Sequence, residues 1–150
     1  MTVSLTADTT LTVATHAGKI LLCNDADGKF TLPSINVNSN GATAGDNDFN
    51  NLNNIGASFH FFVETAATDM DILTDGTDKF KGSILISVDD GTIKGFVPGA
   101  SNDVITMNGS TKGGIVGSVV SFTAIDTATY MVHNSLLIGS GTIVTPYADA

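Results

Sequence analysis

Apolar residues in this chain come in short runs, each closed by Gly, Asn, Asp or Pro, and that rhythm is a strand rhythm. In Phe59-His60-Phe61-Phe62-Val63-Glu64, one face carries Phe59, Phe61 and Val63, while Phe62 points the other way between His60 and Glu64. Ile84, Ile86 and Val88 alternate in the same manner with Ser83, Leu85 and Ser87. Asp90-Gly91 then predicts a type I′ hairpin turn, whose two central positions both need positive φ, with Thr92 to Val97 returning. Ile20 to Cys23 is apolar throughout, as expected of a strand covered on both faces. Asn24 to Gly28 predicts the hairpin turn that leads it back into Lys29 to Leu32, which Pro33 closes. Val104 to Met107, Val119 to Ala124 and Thr129 to His133 continue the series, and Gly139-Ser140-Gly141 leads into a last short strand. Helix filling is scarce: Glu64 is the sole glutamate, and Arg and Gln do not occur. These features predict an all-β chain, a single-domain antiparallel β-sandwich or barrel-like fold.

Two stretches break the rhythm. Residues 1–13, with Val3, Leu5 and Leu11 spaced among Thr, predict an extended N-terminal arm ahead of a β domain over 14–150. Residues 36–56, NVNSNGATAGDNDFNNLNNIG, are dominated by Asn and Gly, and predict a long loop insertion, either a floppy surface loop or a segment ordered only against a neighbouring chain with Phe49 and Leu52 as its anchors.

The charge excludes several functions. Six lysines against fifteen carboxylates give −9, a poor footprint for a phosphate backbone or an anionic membrane surface. No nucleic acid and no membrane is therefore expected as a partner. Cys23 stands alone, so no disulfide within the chain supports the fold. The start MTVSLTADTT has neither the cationic region nor the apolar stretch of a secretory signal, which predicts synthesis in a cytoplasm.

Chemistry finds few candidates. NDADG (24–28) places Asp25 and Asp27 as an EF-hand would, but Cys23 and Ser34 fall where that loop needs oxygen ligands. TDMDILTDGTDKF (68–80) is a better metal candidate, with Asp69, Asp71, Asp75 and Asp78 close together, although Leu73 and Gly82 fall at ligand places. Clustered Asp also follows from turn preference alone. His16, His60 and His133 lie at no ligand spacing; the first predicts a turn residue, the others strand-face residues. GSTKGG (109–114) lacks the order of a phosphate loop. With no Trp and only Tyr130 and Tyr147, sugar-stacking surfaces are also few. The expectation is a protein that is not an enzyme and carries no cofactor.

Three quoted segments resemble one known group. "LTADTTLTVATHAGKILLCNDADGKFTLP", "ASNDVITMNGSTKGGIVGSVVSFTAI" and "GSGTIVTPYADA" are similar to the small capsid decoration (head-stabilising, or cement) proteins of tailed phages, especially aquatic ones. The resemblance covers most of the chain apart from 36–56, and the sequence departs from it in that insertion and in Tyr147, where Phe is commoner. It implies a structural virion protein on the outer capsid surface, assembled in the host cytoplasm, that binds the phage major capsid protein. Self-association is implied too, a homotrimer first and a dimer or monomer as alternatives. The alternative function is a tail-fibre or receptor-binding β domain, since related hairpins occur there. Candidate contacts to capsid or subunit are Val3, Leu5 and Leu11 on the arm, Phe49 and Leu52 on the loop, Phe62 and Leu85 on strand faces, and Tyr147 near the end.

Overall fold

The computed structural model of the chain describes residues 1–35 and 54–150; Phe49, Leu52 and most of the 36–56 insertion lie outside the described residues. Two mixed sheets pack face to face as a β-sandwich. The chain begins by shuttling between them. β1 (Thr2–Leu5), β3 (Ile20–Cys23) and β5 (Ser58–Val63) enter the large sheet, and β2 (Thr9–Thr10), β4 (Lys29–Thr31) and β6 (Met70–Leu73) enter the small one. Every second strand therefore runs in the same direction, and both triplets are parallel. β7 (Lys79–Lys81), β8 (Ile84–Ser87), β9 (Ile93–Phe96), β11 (Val119–Ala124) and β12 (Thr129–Ile138) complete the large sheet in the order β1-β3-β5-β11-β12-β8-β9, with β7 also beside β12. β10 (Val104–Met107) and β13 (Tyr147–Ala148) complete the small sheet. The single helical turn α1 (Val13–His16) is capped by Thr12, whose hydroxyl accepts from the Thr15 amide at 3.4 Å.

The sandwich is thus as expected, but its pairing is mixed rather than antiparallel. The difference begins at NDADG. β3 and β4 do not pair with each other, so Asn24 to Gly28 is a corner between sheets and no hairpin turn. Its backbone is stitched at both ends, Asn24 N–H to Leu5 O at 2.8 Å and Thr68 N–H to Ala26 O at 2.7 Å. Gly28 is required there because a Cβ would lie 2.7 Å from the Phe30 ring. An apolar run, a polar turn and a second apolar run describe a corner as well as a hairpin; only the partner of each strand distinguishes them.

The predicted arm is also corrected. Residues 1–13 belong to the sandwich: β1 lies in register with β3 from Thr2↔Ile20 to Leu5↔Cys23, and β2 pairs β4. Val3 packs against the core, and Leu5 and Leu11 are buried in it, because Val3 and Leu5 share the inner side of the large sheet's edge strand and Leu11 follows β2 at the edge of the small sheet. At Asp90-Gly91 only the glycine has positive φ, 82°. Val88 and Thr92 close a three-residue loop in which the Gly91 amide reaches Val88 O at 3.1 Å, a type I turn followed by a bulge.

The core is aromatic and drawn from both sheets. Phe61 meets Phe122 edge-on with centroids 5.7 Å apart, Phe80 lies 5.2 Å from Phe122, and Phe30 of the small sheet stacks on Phe61 at 6.3 Å. Tyr147 belongs here as well. Its ring lies 6.4 Å from Phe80 and its hydroxyl donates to Gly82 O at 2.8 Å. It is core, not contact surface.

One irregularity positions everything on the large sheet's outer side. Ser121 faces His133 and Val119 faces Leu136, so two β12 residues, Asn134 and Ser135, oppose Val120 alone. Asn134 adopts φ 45°, which asparagine tolerates better than most side chains. This bulge inverts the alternation of β12. Tyr130 and Val132 point inward before it, and Leu137, fully buried, points inward after it. Leu136 is thereby turned out.

Candidate docking face

Strand register places five apolar side chains in one lateral row on the outside of the large sheet. Leu22 of β3 pairs with Phe62 of β5, Phe62 with Val119 of β11, Val119 with Leu136 of β12, and Leu136 with Leu85 of β8. Five strands span about 19 Å at the usual spacing between strands. Leu22, Phe62 and Val119 are half-buried, while Leu136 and Leu85 are 43% and 41% exposed. Leu85 leans over the edge strand, where a Cβ on Gly95 would meet its side chain at 3.3 Å. Ile20 and Ile93, both exposed, extend the apolar surface at its two ends.

A second row runs beside the first: Ile20, His60, Ser121 and His133. His60 Nδ1 lies 2.9 Å from Ser121 Oγ, and His133 Nε2 lies 2.8 Å from Thr123 Oγ1, which in turn meets Ser58 Oγ at 2.7 Å. The rings meet edge-on with centroids 6.3 Å apart. Burial, and to a lesser degree the neighbouring His60, hold the His133 imidazole below its usual value. Across these two rows no carboxylate appears; Glu64, held by Asn24 at 2.5 Å, and Lys81, beside Met131, mark the rims.

The small sheet's outer side is different in kind. Lys29, Asp71 and Thr106 form a row there, and Asp69 and Asp149 border the same shallow depression. One outer face thus carries two carboxylate-free rows, with Glu64 and Asp89 at their margins, and the other is polar and acidic.

The four aspartates of 68–80 are not brought together, and no group of three or more metal-ligating side chains occurs among the described residues. Asp71 faces outward from β6, whereas Asp75 and Asp78 are occupied as acceptors. Asp75 takes the Ser34 hydroxyl at 2.6 Å and the amides of Thr77 and Asp78 at 2.9 and 3.1 Å. Burial works to raise its pKa, but these hydrogen bonds prevail and hold it low. Asp78, buried, accepts the Ile35 amide at 2.9 Å; burial pushes its carboxyl up, with Asp75 and Asp126 adding to the shift. Asn54 Nδ2 reaches Ser34 O at 2.7 Å, and the Tyr130 hydroxyl reaches Pro33 O at 2.6 Å. The acidic loop therefore holds Ser34 and Ile35, and Asn54 is tied to Ser34 in turn.

Other reactive groups are similarly engaged. Cys23 is buried, which pushes its thiol up to about 12. His16, expected in a turn, is the last residue of α1 just before one; it is buried, and its Nδ1 accepts the Thr12 amide at 2.9 Å. In GSTKGG the Asn108 side chain accepts the amides of Ser110 and Lys112, at 3.0 and 2.9 Å, and shapes a tight turn.

Of the expected contact residues, Phe62 and Leu85 fall on the outer side of the large sheet; Val3, Leu5, Leu11 and Tyr147 turn inward. Sequence reasoning missed Leu22, Val119 and Leu136, because a continuous apolar run and an unseen bulge conceal which side each occupies. Asn134-Ser135 was the available signal. No protein-family model matches the chain, and no curated protein or solved structure is found to be similar to it.

Proposed function

We propose that this chain is a structural tile of a tailed-phage head, a decoration protein that binds the major capsid protein lattice through the outer face of the large sheet. The observation supporting this reading is the asymmetry of the sandwich. A chain of net charge −9 can be desolvated cheaply only where no carboxylate must be buried, and the row Leu22, Phe62, Val119, Leu136 and Leu85 is such a place. The acidic small sheet is then left to solvent, where it keeps a densely packed shell soluble. A rigid two-layer sandwich with its reactive groups tied into structural hydrogen bonds suits reinforcement of joints. The segment resemblance to decoration proteins points the same way.

The test is copy number. Quantitative gel densitometry of purified particles should find hundreds of copies per virion. A few to some tens would favour a tail-fibre or receptor-binding domain instead, and absence from the particle would reject both.

A further inference from the structure

We propose that attachment through the large sheet's outer face is gated by pH, with His60 and His133 as the gate: neutral imidazoles permit docking and their protonation releases it. This inference rests on the docking reading above and concerns the regulation of that same face. Its occupant is the protein shell, favoured because the apolar and histidine rows hold no carboxylate, so a protein surface can cover them without stranding an anion.

The geometry makes the pair a sensitive point. The two rings lie 6.3 Å apart in the row adjoining the apolar one, so a partner covering Phe62 and Leu136 also covers them. Their near partners are hydroxyls, Ser121 for His60 and Thr123 for His133, with Ser58 behind Thr123. Hydroxyls accommodate either protonation state and neutralise neither. Among the described residues, the strands paired alongside place no carboxylate opposite either ring. On β3 the neighbour of His60 is Ile20, with Lys19 just before it; on β11 it is Ser121. Beside β12, β7 contributes Lys81 opposite Met131, and β8 contributes Leu85 opposite Leu136. Lys19 and Lys81 border the pair, Asp126 interacts with Lys81, Asp89 lies beside Leu136, and Glu64 stands further along the chain after β5. Docking removes the water that solvates the remaining N–H of an imidazolium here.

The sign follows from linkage. Binding that favours the neutral rings lowers their pKa in the complex, so docking expels protons and weakens as pH falls. The effect read is a fall in affinity of roughly tenfold or more for the pair between about pH 7.5 and pH 5.

The experiment is co-sedimentation of purified protein with shells stripped of it, at about pH 7.5, 6 and 5. Wild type is compared with the His60→Gln/His133→Gln variant, and circular dichroism confirms the fold at each pH. The expected result is a wild type that loses at least roughly tenfold in affinity by pH 5 and a variant that stays within about twofold. Equal loss by both proteins, or no loss by wild type, overturns the gate and leaves the docking face standing. Failure of wild type to bind shells at about pH 7.5 overturns the face and the gate together. So does self-association at that pH with shells unbound, which assigns the face to a second copy.

Discussion

Leu136 and Leu137 are adjacent and chemically identical, yet the bulge at Asn134-Ser135 sends them to opposite sides of the sheet. Truncating each in turn should separate stability from attachment. Leu137 is fully buried, so Leu137→Ala should cost about 2–5 kcal/mol, the transfer term plus an unfilled cavity. For a domain of this size that lowers Tm by roughly 5–15 °C. Leu136 is already a little over half covered by its neighbours at 43% exposure. Full burial of a leucine is worth about 1.5–3 kcal/mol, so docking gains about 1 kcal/mol from the exposed remainder. Leu136→Ala should therefore weaken attachment roughly fivefold while shifting Tm by no more than a few degrees. Differential scanning calorimetry and shell co-sedimentation measure the two quantities on the same preparations. If Leu136→Ala proves the destabilising change and Leu137→Ala the silent one, the parity of β12 is wrong and the apolar row does not exist.

Three further outcomes test other parts of the structure. Asp103 accepts from Lys79 at 2.6 Å and from the Ala150 amide at 2.8 Å, which outweighs the effect of burial and keeps its carboxyl below the usual range. Its stabilising contribution is present above about pH 4 and lost as pH falls through the depressed folded value, so Asp103→Asn should narrow the Tm difference between about pH 7 and pH 3. Gly82 sits at φ 121° with a would-be Cβ against the Val132 carbonyl, so Gly82→Ala should lose at least about 2 kcal/mol in urea unfolding. Cys23, buried and with its thiol pushed up to about 12, should resist a thiol reagent at about pH 8 until denaturant unfolds the sandwich.

Much of the sandwich was legible from alternation. Phe59, Phe61 and Val63 against Phe62, and Ile84 and Ile86 against Leu85, fall on the sides their spacing predicts. Pairing was not legible, because hydrogen-bond partners are fixed by contacts distant in the chain. Nothing local at NDADG distinguishes a corner from a hairpin, so the parallel triplets β1-β3-β5 and β2-β4-β6 went unforeseen. The same gap made an arm of residues whose apolar side chains in fact close two sheet edges. Three of the five residues in the apolar row were hidden for a related reason. Leu22 lies in a run with no polar alternation, and Leu136 lies beyond a bulge that resets the period.

Lateral register alone makes a face of Leu22, Phe62, Val119, Leu136 and Leu85, and the direct test is a density map of the assembled particle at side-chain resolution. The predicted result is this row pressed against the shell, with Lys29 and Asp71 turned to solvent. A particle in which the acidic sheet meets the shell, and the five apolar residues face water, would contradict it.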